Sequence, residues 1–306
     1  MAYRETRYKR ITASGGGTLQ APAYESYRVR DVFSVASSND TYLTMDVGGR
    51  QVLKLRNAGK SGSHCQYPAD KVGQLYEAGG ITLMAYLAAR GFDMSIPVPA
   101  GYTLTVSRYA ETGDVTLVYD VYDAGDVKAD EPNGPDCLIN RYVHYMTNAS
   151  AITASPATFD TSYIWTGGEA WPVGGVAVPD KVTITVRALI GSGVARGNNT
   201  ANKGYTAYLQ LWYNGDVIGD AQDQNGIPLG GIAATTADAD TYGGQACVIG
   251  PLTGAQPKPP LILEPPLVFP AGAIVTPKVT VASAASGGIG AAGLDLALAI
   301  ERVRAA

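Results

Sequence analysis

Valine, threonine, tyrosine and other apolar or β-branched residues alternate with polar ones along most of this chain. Clusters of Gly, Pro, Asn and Asp interrupt the alternation at short intervals. A period of two puts successive side chains on opposite faces of an extended strand, so the pattern predicts an all-β protein. A strand is expected from Tyr27 to Ala36, then a hairpin in which Thr41 to Val47 pairs with Gln51 to Arg56 across Gly48-Gly49. Glycine at both central positions accepts the positive φ that a primed hairpin turn needs. Further along, Lys181 to Leu189 sets Val182, Ile184 and Val186 on one face, and Tyr208 to Tyr213 turns through Asn214-Gly215 into Asp216 to Gly219. One stretch changes period. Between Ala69 and Ala89, the residues Leu75, Tyr76, Leu83, Met84, Tyr86 and Leu87 give a helical stripe broken at Gly79-Gly80, which predicts a short helical insertion between strands.

Two stretches repeat one design. Ile96 to Val106 and Leu267 to Thr276 both read as an apolar approach, a Pro-Ala-Gly turn and an extended strand. Each is followed by a further strand, Asp114 to Val121 in the first and Leu294 to Ile300 in the second. Two β-domains of related design in tandem account for this, and chance likeness between two Pro-Gly turns entering strands is the alternative. A chain of 306 residues is long for one sandwich and sufficient for two cores. The expected division is an N-terminal arm over 1–26, a first β-sandwich over 27–123, a linker over 124–137 and a second β-sandwich over 138–306. The linker is drawn where the sequence turns polar and turn-rich, with Pro132 and Pro135.

Composition narrows the function. Only 16% of residues are charged, against about 25% in ordinary soluble proteins, which points to surface covered by partners. A net charge of −4 argues against a surface that binds nucleic acid throughout. The positive charge is nevertheless concentrated, since Arg4, Arg7, Lys9 and Arg10 stand in the first ten residues against Glu5 alone, ahead of Ser14-Gly15-Gly16-Gly17. Two readings stand: a solvated flexible terminus, or a tether to an anionic surface. Nineteen Tyr against four Phe suit half-buried contacts better than a dry core. No apolar run approaches the roughly 20 residues of a membrane span, and no apolar h-region follows Met1, so neither a span nor a secretory leader is expected.

Catalytic and metal motifs do not assemble. Ala58-Gly59-Lys60-Ser61 lacks the glycine that a phosphate-binding loop needs, because that position is Lys54. Asp223, Asn225 and Gly226 suggest a calcium loop, but its first ligand position would be Ala221. His64 and Cys65 are adjacent and would point to opposite faces of a strand. No enzyme activity, cofactor, metal or small-molecule substrate is expected. Tyr163, Trp165 and Trp171 lie on a Gly-rich stretch beside Glu169. They read as a stacking platform for sugar rings or as aromatic plugs at a sandwich end or subunit interface.

Tandem sandwiches, the basic arm of Arg4, Arg7, Lys9 and Arg10, the helical insertion, long Gly- and Thr-rich loops, few charges and the late Pro270-Ala271-Gly272 entry to a strand resemble a known class. The chain is similar in architecture to the double jelly-roll major capsid proteins of tailless icosahedral viruses. The resemblance implies jelly-roll-like sandwiches, a homotrimeric capsomer, a place in the virion shell beside other capsid proteins, and an N-terminal arm facing an internal membrane or the packaged genome. The first half looks short for eight strands. The alternative is a carbohydrate- or receptor-binding protein such as a phage fibre or adhesin, with the Trp165 and Trp171 region as contact. A β-sandwich hydrolase working through paired carboxylates comes third.

Overall fold

The computed structural model describes residues 2–12, 15–34, 42–56, 82–109, 114–148, 157–160, 171, 176–191, 207–219, 226–229, 259–281 and 295–305. The protein is mostly strand, in antiparallel sheets, with one short helix among the described residues. The chain divides into two compact units. One comprises Met1–Ala69, Leu75–Val143 and Ile300–Ala306; the other comprises Asp70–Gln74 and His144–Ala299.

In the first unit the stretch expected as a flexible arm is built into a sheet. Strand β1 (Tyr3–Ile11) is followed by β2 (Gly16–Gln20), β3 (Glu25–Ser34), β4 (Tyr42–Val47), β5 (Arg50–Arg56), helix α1 (Leu83–Ala88), β6 (Ile96–Val98), β7 (Thr103–Tyr109) and β8 (Val115–Asp123). They form two four-stranded sheets, in the orders β1-β8-β3-β6 and β2-β7-β4-β5. The alternation read from sequence explains which face is inward: Leu43, Met45 and Val47 on β4 and Leu117 and Val121 on β8 are fully buried. Gly48 and Gly49 join β4 to β5 with φ of 60° and 84°, the primed turn expected of them.

Only the end of the expected helical insertion is described, and the part of it before Thr82 lies outside the described residues. Thr82 caps α1, its hydroxyl accepting from the Ala85 N–H at 3.0 Å and donating to the Asp31 carboxylate on β3. Leu83, Met84 and Leu87 are buried.

Residues 124–137, expected as a linker, belong to the first unit and are packed into it. Val127, Asn133 and Cys137 are buried. The division between units falls instead at Val143/His144, inside a strand. Arg50 explains part of the order of this segment. Its guanidinium donates to the carbonyls of Gly134 (3.4 Å), Pro135 (2.8 Å) and Cys137 (3.0 Å) and to the Asn140 Oδ1 (3.2 Å). Backbone acceptors that a loop would otherwise leave to water are thereby satisfied.

The remaining strands form one nine-stranded sheet, most of it in the second unit, with residues 139–143 of its first strand and 300–304 of its last counted in the first unit. Its strands are β9 (Ile139–Asn148), β10 (Ala157–Asp160), β11 (Val182–Gly191), β12 (Ala207–Tyr213), β13 (Asp216–Val217), β14 (Ile227–Leu229), β15 (Leu261–Phe269), β16 (Val275–Val281) and β17 (Asp295–Arg304). Their order is β13-β12-β16-β10-β9-β17-β11-β15, with β14 also on β12. The link between β10 and β9 is short, Phe159 opposite Asn148 and Asp160 opposite Thr147. On either side of it stand the four-strand paths β9-β17-β11-β15 and β10-β16-β12-β13. Asn214-Gly215 turns β12 into β13 with φ of 54° and 92°, as the sequence predicts.

The repeat seen in sequence recurs in geometry. Pro99-Ala100-Gly101-Tyr102 and Pro270-Ala271-Gly272-Ala273 are both type II turns: Gly101 and Gly272 have φ of 80° and 81°, and the fourth residue donates to the proline carbonyl at 3.0 and 3.1 Å. Each turn holds a partner in the same way. The Gly101 N–H donates to the Ala21 carbonyl while the Ala21 N–H donates to Tyr102; Gly272 and Ala273 do the same with Val178. Each partner precedes a proline whose carbonyl accepts from the first residue of the next strand, Glu25 or Val182, at 3.2 Å in both cases. The registers beyond also agree. Tyr27, Arg28 and Val29 face Val98, Pro97 and Ile96, as Ile184, Thr185 and Val186 face Phe269, Val268 and Leu267.

Candidate functional site

Arg4, Arg7, Lys9 and Arg10 come together on β1, the edge strand of its sheet. The eight-pair register with β8 sets Arg7 opposite Tyr119 and Arg10 opposite Thr116. Only Ile11 on β1 is buried, so apolar packing contributes little to holding the strand. Carboxylates add to the backbone ladder. Arg4 pairs with Asp123, the Thr6 hydroxyl donates to Asp120 at 2.5 Å, Arg10 pairs with Asp114, and the Ala2 N–H donates to Asp126 at 2.7 Å.

The most enclosed of these acids is Glu25 on β3, whose side chain is only 8% exposed. Arg7 reaches across β8 to donate both terminal nitrogens to it, at 3.0 and 3.3 Å, and also pairs with Glu5. The Tyr27 hydroxyl donates to the same carboxylate at 2.8 Å, and Arg4 stands 3.6 Å away. Burial alone would raise the Glu25 carboxyl, but the hydrogen bonds from Tyr27 and Arg7 outweigh it and hold the group below the usual carboxylate range. Tyr27 is pushed upward, first by its own burial and then by its bond to Glu25. The guanidiniums, read from sequence either as part of a solvated terminus or as a contact for an anionic surface, are paired with carboxylates of the first unit. Sequence reading missed these acids because Glu25 lies far in sequence from Asp114 and Asp123, and only the β1-β8-β3 order makes them neighbours.

The aromatic stretch divides. Tyr163 and Trp165 lie outside the described residues. Trp171 is 1% exposed and packs on Phe269 with ring centroids 5.1 Å apart, and Tyr213 meets the other side of the cluster at 5.5 Å from Phe269. Of the two readings open for Trp171, the plug is the one its position fits. A sugar ring has no access to its face.

Short turns gather at one end of the first unit. The connections 21–24, 48–49 and 99–102 meet there, where the Gly48 N–H donates to the Thr103 carbonyl at 3.4 Å and Gly48 lies against the Tyr102 ring. They border an open depression lined by Gly48, Gly49, Gly101, Tyr102 and Thr103. Among the described residues no group of three His, Cys, Asp or Glu side chains is placed to hold a metal ion. No helix among them is long and apolar enough to cross a membrane. The sequence matches no family model and no curated protein.

Proposed function

We propose that this chain is a viral structural protein of the double jelly-roll type, a major capsid protein whose copies join as homotrimers to build an icosahedral shell. The observation that carries this reading is strand order. Lettered B to I along the chain, β1 to β8 of the first unit fall in the orders B-I-D-G and C-H-E-F. Those are the two sheets of an eight-stranded jelly roll, an architecture used by viral capsid and lectin domains. In the second unit β9, β10, β11, β12, β13, β15, β16 and β17 give the same two orders, with β14 added between F and G. Matching turns, clamps and registers around Gly101 and Gly272 add support, because they make the units two versions of one design. On this reading the short first half is completed by β1 and β2, both of which lie in the segment expected as an arm.

Two similar units per subunit give a trimer six similar flanks, the outline needed to tile a surface with near-sixfold packing. Strands turn tightly at one end of the first unit, through 21–24, 48–49 and 99–102, and the last residues of β3 and β5 lie at the other. The low charge content fits a chain most of whose flanks are covered by copies of itself and other capsid proteins.

The test is the absolute mass of the purified chain by light scattering across concentration and salt, with electron microscopy of large species. A stable trimer, sheets or shells are expected. A strict monomer at every concentration sinks the assembly reading and turns attention to a glycan-binding jelly roll, to be screened on a glycan array.

A further inference from the structure

The edge strand β1 differs from its neighbours in how it is held. It shares a ladder with β8, broken by one register shift between Tyr3 and Glu5, yet one buried apolar side chain, Ile11, is its whole contribution to the core. Its other anchors end on acids: Asp114, Asp120 and Asp123 on or beside β8, Asp126 just beyond it, and Glu25 on β3. At the start of β2, Gly16 has φ of 117°, and a Cβ there would lie 1.9 Å from the Val106 carbonyl oxygen, so only glycine fits at that place in the ladder.

We propose that β1 is a releasable strand held by a carboxylate clasp, which opens when those acids are neutralised while β8, β3 and β6 stay paired. All the charged groups that face it bear on the sign. On β1 itself are Arg4, Glu5, Arg7, Lys9 and Arg10. From β8 and its flanks come Asp114, Tyr119, Asp120, Tyr122, Asp123 and Asp126; from β3 come Glu25, Tyr27, Arg28 and Arg30, of which Arg30 shares Asp120 at 3.6 Å and Arg28 is committed to Glu131. In their charged form the acids attract the strand. Protonating them removes the attraction while the four cations of β1 keep their charge, so acid favours release. Salt screens the exposed pairs of Arg4 and Arg10 and reaches the enclosed Arg7–Glu25 pair least. The freed segment presents its cations to solvent, and an external anion competes for the guanidiniums that the clasp holds.

Hydrogen exchange of the full chain, read by mass spectrometry and corrected for intrinsic rates, tests this. Protection in 2–11 is compared with that in 115–123 at neutral pH, at about pH 3.5 and in about 1 M salt. β1 is expected to lose protection by at least about tenfold relative to β8 in acid, by less in salt, and at neutral pH in Glu25→Gln and Asp123→Asn. Parallel loss in both strands under every condition overturns the proposal. Should a variant fail to fold, the parent chain's acid and salt series decides by the same criterion.

Discussion

At the scale of single residues, the side chains that organise the first unit are polar groups whose partners lie far away in sequence. Arg50 is the clearest: one guanidinium satisfies three backbone carbonyls and an amide of 134–140. Arg50→Ala strips a donor from those acceptors, of which, among the described residues, only the Gly134 carbonyl keeps a backbone partner in the Cys137 N–H, and is expected to cost about 2 kcal/mol in urea unfolding, with Arg50→Lys intermediate because an ammonium cannot span the same set. Glu25 gives a pH signature. Its carboxyl lies below the ordinary range in the folded chain, so it stabilises the fold above that range and the contribution is lost as pH falls through the folded value. The melting temperature of Glu25→Gln is expected to fall below the parent's at neutral pH and to converge with it as pH falls through the folded value. Trp171→Ala empties a core site beside Phe269 and is expected to cost about 3–5 kcal/mol in the same urea assay.

At the scale of elements, hairpins were legible and the edge strand was not. Gly48-Gly49 and Asn214-Gly215 specify their turns through local backbone preference, which needs no knowledge of the rest of the chain. The segment Tyr3–Ile11 carries charge at Arg4, Glu5, Arg7, Lys9 and Arg10, and a charged segment beside a Gly run reads as a flexible arm. It is a strand because β8 offers a paired edge and acids in the right register, and charge on an edge strand also blocks further sheet growth. The twin Pro-Ala-Gly turns allow a quantitative check. Gly101 and Gly272 have the same positive φ and open space where a methyl group would point, so alanine meets only backbone strain in either. Gly101→Ala and Gly272→Ala are each expected to cost about 1 kcal/mol, equal within error, by urea unfolding. A several-fold difference would separate the two turns.

At the scale of the whole molecule, topology carries the functional reading. The order β1-β8-β3-β6 over β2-β7-β4-β5, met again in the second unit, supports a tandem jelly-roll design and with it self-assembly as the function to test first. If the trimer forms through the flanks of both units, its mass should persist at salt high enough to screen surface ion pairs, because interfaces of a charge-poor chain rest on apolar burial. Light scattering at low and at about 1 M salt reads this directly. Dissociation in salt would point to polar contacts instead.

The strand period, the glycine and asparagine turns and the doubled Pro-Ala-Gly motif could all be read from the chain unfolded on paper, because interactions within a few residues set them. Which strands are neighbours, that 124–137 packs into the first unit, that Trp171 is core and that the first ten residues hold a strand became visible only in three dimensions. Each of these depends on pairing between residues distant in the chain. One sequence carries no record of such pairing until the backbone folds and brings an arginine to its carboxylate.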